Sequence, residues 1–416
     1  IKGSTSEQKP FFCYLAYNTP HSPYRATDAL FDKYKAKGLS DEVSAKYAMV
    51  ESIDENIGRL RSFLDEQSLT NDTIIIFLSD NGPAMHKSKR FNGHFYKTKS
   101  SVHEGGVRVP CFVAWPGTIP AGTRFDKITS HIDWFPTLAE LCGLEAVKEQ
   151  LPIDGASLAE VLRTGGNPAR WMNRLHFSVW TPPYYDLENA ALAVRTDRWL
   201  AVKDKRAVRD EEVYDRYLGW ELYDLQIDPF QNYDVGADFI HLLGDMASDM
   251  GHWLAQVSDD VIGRIPIEIG HSEWPRVHLR SQDADRSEAW KINKYGNHSW
   301  AIEWPEAGHI EWPVKVIDSR SYQVTAEYGI AANDLPCSLI FETSEGKLIA
   351  QLPLTSATEM TVTESPHERY PARSYPVTDG TTQPIGTITL PADLTGLRLR
   401  LDKPAASFGL GGIHIE

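Results

Sequence analysis

The sequence has no run of about 18 apolar residues, so no segment of it reads as a membrane-spanning helix. Positive charge is also short. There are 42 Lys and Arg against 57 Asp and Glu, a formal net charge of −15. A broad nucleic-acid footprint needs clustered cations and is excluded. An acidic body repels polyanions, so any anion site must be locally positive. Cysteine is scarce: Cys13, Cys111, Cys142 and Cys337 include no close pair of the kind that holds zinc or runs redox exchange. Cys13 and Cys111 sit in apolar runs, and buried free thiols are expected. Sustained heptads, repeats and low-complexity tracts are missing too, which excludes a coiled coil or a solenoid. What is there, 416 residues with 42% apolar and 24% charged, is the composition of a globular protein of about two to three domains.

Residues 1–165 read as α/β, with a largely parallel sheet and helices on both faces. Phe11–Tyr17 (FFCYLAY), Thr73–Leu78 (TIIIFL) and Val109–Trp115 (VPCFVAW) are short continuous apolar runs bounded by turn residues, the pattern of doubly buried strands. Between the first two, Val43, Tyr47, Val50, Ile53, Ile57, Leu60 and Leu64 recur at helical spacing, predicting a helix over 41–67 capped by Ser40 and Asp41. A helix over 134–141 should end at Gly143. Residues 166–260 read as a small antiparallel sheet plus one helix: a hairpin of Ala191–Arg195 and Trp199–Lys203, a strand at Trp220–Leu225 and a helix over 237–257. In residues 261–416, Tyr322, Val324, Ala326 and Tyr328 alternate with polar residues, as do Leu397, Leu399 and Leu401, and a β-sandwich is expected.

Asp80 and Asn81 directly follow a strand, where open α/β sheets bind ligands. A carboxylate beside a side-chain amide offers two hard oxygens, which suit Ca²⁺ or Mg²⁺ better than zinc. The alternative is a plain Asx turn before Gly82-Pro83. His21 follows another predicted strand, framed by Pro20 and Pro23, where it could donate a proton or bind an anion; otherwise it is a surface loop histidine. Lys99 lies in a cationic stretch with Lys87, Lys89, Arg90 and Lys97, ahead of the tight Gly105-Gly106 turn. Such a lysine can neutralise an oxyanion, and a basic stretch in so acidic a chain is what steering an anion requires.

In order along residues 9–257, the stretches FFCYLAYNTPHSP (11–23), YAMVESIDENIGRL (47–60), SDNG (79–82), Lys99 to Pro110 ending in EGGVRVP, SHIDWFPTL (130–138), DGASL (154–158) and ELYDL with Asp228-Pro229 resemble the sulfatases of the alkaline-phosphatase superfamily. The resemblance implies sulfate-ester hydrolysis assisted by Ca²⁺, with Asp80 and Asn81 as metal ligands. It implies that His21 contacts sulfate and protonates the departing alcohol, and that Lys99 holds a sulfate oxygen. His131 and Asp133 carry no assigned role, and Asp133 is expected to cap the helix after it. A sulfated carbohydrate or aryl sulfate is the implied substrate, and a periplasmic or secreted location is the family expectation.

The family's nucleophile is a formylglycine made in a C/S-x-P/A-x-R motif, and no stretch here has it; Ser287–Lys291 comes nearest, with Lys in place of Arg. Ile1 is not Met, and the resemblance places the nucleophile and the remaining metal ligands upstream of residue 1. The chain is therefore expected to carry only part of an active site. Two other readings stand beside this one. The first is a phosphodiesterase or phosphonate hydrolase of the same superfamily. The second is a non-catalytic glycan-binding module using Trp274, Trp290, Trp300, Trp304 and Trp312 as stacking platforms.

Overall fold

A computed structural model of the chain describes residues 1–7, 9–21, 24–84, 91–144, 153–166, 171, 174–181, 190–204, 219–262, 265–286, 291–292, 301–302, 304, 308–358, 361–363 and 377–416. They divide into two compact units, Ile53–Gly263 and Ile1–Ser52 with Arg264–Glu416, and each is described by itself.

In the unit 53–263, β1 (Ile75–Leu78) pairs with β2 (Cys111–Ala114), with Ile75 opposite Ala114 and Leu78 opposite Cys111. The pair is antiparallel, which corrects the expected parallel arrangement. The reason lies in the connection. Among the described residues of 79–110 the only regular element is the short helix Glu104–Val107, too little for a crossover, so the chain re-enters at the end it left. Ser79 N–H donates to the Pro110 carbonyl at 3.3 Å across that end.

The expected strand at Phe11–Tyr17 is also corrected. It pairs with no described strand, and Phe12 and Tyr14 are 82% and 83% exposed. An apolar run supplies faces for burial, but a strand exists only through a ladder partner. The same exposure overturns the expectation for the thiols: Cys13, Cys111 and Cys142 are exposed, and only Cys337 is buried.

The helix Trp134–Leu141 stops as predicted. Gly143 takes φ +72°, and the Leu144 N–H reaches back to the Ala139 carbonyl at 2.7 Å. Asp133 precedes this helix, and its side chain does not cap it as expected. Its side chain makes no bond to that helix; it accepts from Ser130 N–H at 2.7 Å in the one-turn 3₁₀ helix before it. Fully buried, it also accepts from Ala156 N–H at 2.9 Å and takes both arms of Arg174 at 2.8 and 2.6 Å. One carboxylate thus joins three chain segments.

Beyond it, β3 (His176–Trp180), β4 (Ala191–Arg195), β5 (Trp199–Lys203) and β6 (Glu221–Asp224) form an antiparallel sheet in that order. The hairpin β4–β5 has the predicted ends. The helix Ile240–Ile262 lays Leu243, Met246 and Met250 on Leu192, Val194, Ala201 and Leu222 of this sheet, as the sequence pattern requires. Arg198 clamps Asp224 at the sheet edge through two bonds of 3.0 and 2.6 Å.

In the other unit, Thr27 caps the helix Asp28–Lys35. The predicted long helix, Asp41–Glu66, begins in this unit, with the Ser40 hydroxyl accepting from Val43 N–H at 3.4 Å. Its buried stripe at the start is Ala45, Ala48 and Met49; Val50 is 45% exposed. The small alanines let this face approach Tyr24 and Phe31, and Lys46 is buried because Glu42 pairs with it at 2.7 Å and its ammonium lies over the Tyr24 ring.

Residues 264–416 build two larger sheets. One is ordered β10 (Lys291–Ile292), β11 (Ala301–Ile302), β20 (Gly409–Ile415), β13 (Ser321–Gly329), β18 (Thr381–Thr389), with β8 (Val277–Arg280) also on β20. The other is β15 (Leu348–Leu354), β14 (Cys337–Thr343), β19 (Gly396–Leu401), β12 (His309–Val316), β7 (Ile267–Ile269), with β9 (Asp285–Arg286) also on β12. A hairpin of β16 (Thr361–Thr363) and β17 (Val377–Asp379) stands apart. The alternating residues Tyr322, Val324, Ala326 and Tyr328 are fully buried and share one core with Leu339, Phe341, Leu397 and Leu399 of the second sheet. Trp304 and Trp312 belong to that core, Trp274 is 73% exposed, and Trp290 and Trp300 lie outside the described residues. Burial and the neighbouring Asp402 push the Cys337 thiol up to about 12.

Two outcomes follow. Replacing Asp133 by Ala strands Arg174 and should cost the unit about 3–5 kcal/mol of unfolding free energy, measured by urea unfolding; an unchanged midpoint would deny the carboxylate its joining role. The hydrogen bonds from Arg198 hold the Asp224 carboxyl below the usual carboxylate range. The folded chain therefore gives up this proton more readily than the unfolded chain. The stabilisation is complete above the unfolded pKa of about 3.9 and is lost as pH falls through the lower folded value. Amide exchange in β5 and β6 should quicken on acidification through that window, and Asp224→Asn should show the fast exchange already at neutral pH.

Candidate functional site

The sheet rim at the end of β1 is held by backbone contacts that leave no room for side chains. After Leu78 the chain turns through Ser79-Asp80-Asn81. The Asp80 Oδ1 accepts from Asn81 N–H at 2.9 Å, and the Asn81 Nδ2 donates to the Gly82 carbonyl at 3.0 Å. Each bond reaches only the next residue, not two residues on as in an Asx turn, and Asp80 is left exposed. Gly82 N–H then donates to the Gly106 carbonyl at 2.7 Å. A Cβ on Gly82 would collide with the Gly105 carbonyl, one on Gly105 with the Lys97 carbonyl, and one on Gly106 with the Ser101 carbonyl. Glycine at 82, 105 and 106 is a steric requirement of this interlock.

Lys99 enters the same knot. Its N–H donates to the Pro83 carbonyl at 3.1 Å, and Gly105 N–H donates to the Tyr96 carbonyl at 2.9 Å. On either side of it Lys97 and Ser100 take left-handed φ of +61° and +66°. Such conformations cost about 1–3 kcal/mol each and persist only when their surroundings hold them. Here the surroundings are the glycine interlock and the helix Glu104–Val107. That helix is anchored by the buried Glu104, which accepts from Arg108 at 3.0 Å and Arg195 at 2.9 Å. Gln231 completes the anchor. It accepts from Glu104 N–H at 3.0 Å and donates to His103 Nδ1 at 2.8 Å, and the His103 ring meets Tyr96 edge-on at 4.8 Å.

The structure thus brings together the backbones that carry Asp80, Asn81 and Lys99. His21 lies in the other unit, on an exposed turn where its N–H donates to the Asn18 carbonyl at 2.9 Å. Pro23, Lys87, Lys89, Arg90 and Ser287–Trp290 lie outside the described residues.

Sequence reasoning gave His131 no role. Its Nε2 donates to the Ser79 carbonyl at 2.8 Å and so braces the residue before Asp80. The partners are 52 positions apart, and no local pattern could have signalled the contact. The adjoining Asp133–Arg174 pair reaches the same neighbourhood: burial, then the Arg174 charge, hold the His176 imidazole below its ordinary pKa. Chemically, the rim offers hard oxygens from two successive residues and an ammonium-bearing loop fixed beside them. The donor set fits part of a Ca²⁺ shell, which takes 6–8 oxygens, and does not fit a thiolate or imidazole metal.

Comparison with known proteins finds sulfatases. Residues 2–144 match the sulfatase family, and residues 92–241 match the C-terminal region of N-sulphoglucosamine sulphohydrolase. A sulfatase of Formosa agariphila is 32% identical over 209 residues, covering 47% of this chain and 37% of its own. N-acetylgalactosamine-6-sulfatase of Sus scrofa is 32% identical over 168 residues, 40% of this chain and 31% of its own. Human steryl-sulfatase is 35% identical over 162 residues, 37% of this chain and 26% of its own. The chain therefore spans little more than a third of the length of these relatives at most. Among solved structures, Ps i-CgsB in complex with k-i-k-neocarrahexaose superposes with a TM-score of 0.53 at 29% identity, over 61% of this chain and 51% of that one. The two matched regions overlap and follow one another without a gap, the first containing Gly82, Gly105 and Gly106 and the second Gly105 and Gly106: over residues 2–241 the chain is similar to the sulfatase family.

Proposed function

We propose that this chain supplies one side of the active site of a sulfate-ester hydrolase. The observation that supports it most is the interlock of Gly82 with Gly105 and Gly106, which sets the Asp80–Asn81 turn and the Lys99 loop against each other at the rim of β1. Asp80 and Asn81 would hold Ca²⁺ through their side-chain oxygens. Calcium bound there would offset negative charge on the sulfate oxygens. Lys99 would take one of those oxygens with its ammonium group, which counts for most where charge builds up in the transition state. His21 would donate a proton to the ester oxygen as the sulfur–oxygen bond breaks. His131 would hold Ser79, and through it the Asp80 turn, in place.

The family's nucleophile is a formylglycine whose hydrated aldehyde supplies the attacking hydroxyl. Its C/S-x-P/A-x-R motif is not found in these 416 residues. A sulfated carbohydrate is the preferred substrate. The N-acetylgalactosamine-6-sulfatases among the relatives and the oligosaccharide in the Ps i-CgsB structure support that choice over an aryl sulfate. A periplasmic or secreted setting suits such a substrate. We read residues 1–165 as part of the catalytic α/β domain, 166–260 as its small sheet-and-helix subdomain, and 261–416 as a β-sandwich accessory domain. The exposed Trp274 keeps a glycan-binding role for that last part as a second reading.

Calorimetry with Ca²⁺ tests the rim. Two ligands predict weak binding, on the order of 10⁻⁴–10⁻³ M, lost in Asp80→Ala. Sub-micromolar affinity, or affinity indifferent to Asp80, would contradict the assignment. In the presence of calcium, Lys99→Ala should weaken binding of 4-nitrophenyl sulfate by about ten-fold, the loss of one charge-assisted contact. The 416-residue chain by itself should release no 4-nitrophenol; turnover would show that a nucleophile lies within it.

A further inference from the structure

On the outer face of the first large sheet, three ligand-bearing side chains converge from three adjacent strands. His278 on β8 stands directly opposite His414 on β20, and Glu327 on β13 stands opposite Gly412, two residues before His414 on the same face. Their neighbours Val277, Leu279, Ile413, Ile415, Ala326 and Tyr328 are buried, so period-two alternation turns all three outward together. The imidazole nitrogens and a carboxylate oxygen lie within 4.8 Å of one another, with His278 Nε2 3.9 Å from Glu327 Oε2. The two rings stack at 4.0 Å with an interplanar angle of 22°.

A second observation is independent of these side chains. Gly412 sits between the histidines and the glutamate, and a Cβ there would collide with His278 Nε2. The strand leaves open the space into which the imidazole reaches. Beside it an open, shallow surface depression is lined by Glu273, Trp274, Pro275, Arg276, His278 and His414.

We infer that His278, His414 and Glu327 form a binding site for a borderline divalent transition-metal ion, zinc in the first instance, with an open coordination position. Two imidazoles and one carboxylate are a set that zinc takes, and three protein ligands leave a fourth position open to water from the solvent-facing depression. The donors, within 4.8 Å of one another, need to close by up to about 1.5 Å to reach the roughly 3.3 Å of a tetrahedral set with bonds of about 2.0–2.1 Å. Side-chain rotation on an exposed sheet face allows that. The charges of Arg276 and Arg280 act on His278. The same arginines oppose a dication, and the site is accordingly one of moderate affinity. It is separate from the Asp80–Asn81 rim in both donor chemistry and place in the chain.

The test is titration of the whole chain with ZnCl₂ alone, by calorimetry and by thermal melting, together with the visible spectrum of the Co²⁺ form. One ion per chain is expected, with the intense d–d bands of a tetrahedral N/O set and a raised melting temperature of the C-terminal unit. His278→Asn and His414→Asn should each weaken binding at least ten-fold, and Glu327→Gln several-fold. All three positions are on the surface, and unchanged circular dichroism checks that each variant folds. Gly412→Ala, which leaves every donor in place, should also weaken binding by crowding His278. Absence of stoichiometric zinc, octahedral Co²⁺ spectra, or equal binding by the double variant His278→Asn/His414→Asn would overturn the site.

Discussion

The candidate site rests on one constraint: three glycines whose missing side chains let two loops touch backbone to backbone. At Gly82, Gly105 and Gly106 the nearest atoms to an added Cβ are carbonyl groups of the facing loop. Carbonyls of a bonded loop cannot yield as a flexible side chain can. The Asp80 turn and the Lys99 loop are therefore set relative to each other by the main chain, and the chemistry-bearing side chains are carried as passengers. This is how an exposed carboxylate and a half-buried lysine can be placed with no salt bridge to hold them among the described residues. Preorganisation of that kind is what an electrostatic site needs, because the donors must already be in position when charge develops.

Much of this was legible in the sequence, and the parts that were not share a cause. The hairpin Ala191–Arg195/Trp199–Lys203, the helix Trp134–Leu141 with its glycine stop, and the alternating strand around Tyr322–Tyr328 follow from local period and turn chemistry. Asp80, Asn81, Lys99 and the glycine pair could be singled out as candidates because a strand end, a turn and a tight glycine step are also local. What failed was non-local. The run Phe11–Tyr17 has strand composition and no partner among the described strands, and β1 and β2 pair in the sense set by their connection. The contact of His131 with Ser79 and the capture of Asp133 by Arg174 depend on chain segments that approach only in the folded state. Asp133 was expected to serve the helix beside it and instead joins segments 23 and 41 residues away.

The two units treat buried charge differently. In residues 53–263 the buried acids Asp133 and Glu104 each meet an arginine from a distant strand or loop, so polar pairs fix how its pieces join. In residues 264–416 the core is apolar and continuous between two sheets, and ion pairs such as Arg398–Glu311 and Arg400–Glu342 lie between neighbouring strands. The first arrangement gives specificity of assembly; the second relies on area removed from water, with cross-strand charges adding little beyond register.

The tether of the Glu104 helix to Arg195 and Gln231 carries an evolutionary consequence. These two residues lie 91 and 127 positions downstream of Glu104, on a strand and a loop that bear none of the rim's donors. Substitutions there and substitutions in the Lys99 loop act on one shared bond network, so their effects do not add. A change at the rim that is tolerated in one relative need not be tolerated in another whose Arg195 or Gln231 differs. Drift in the small sheet would then steer which rim variants remain open, a form of epistasis written into hydrogen bonds rather than into the substrate pocket.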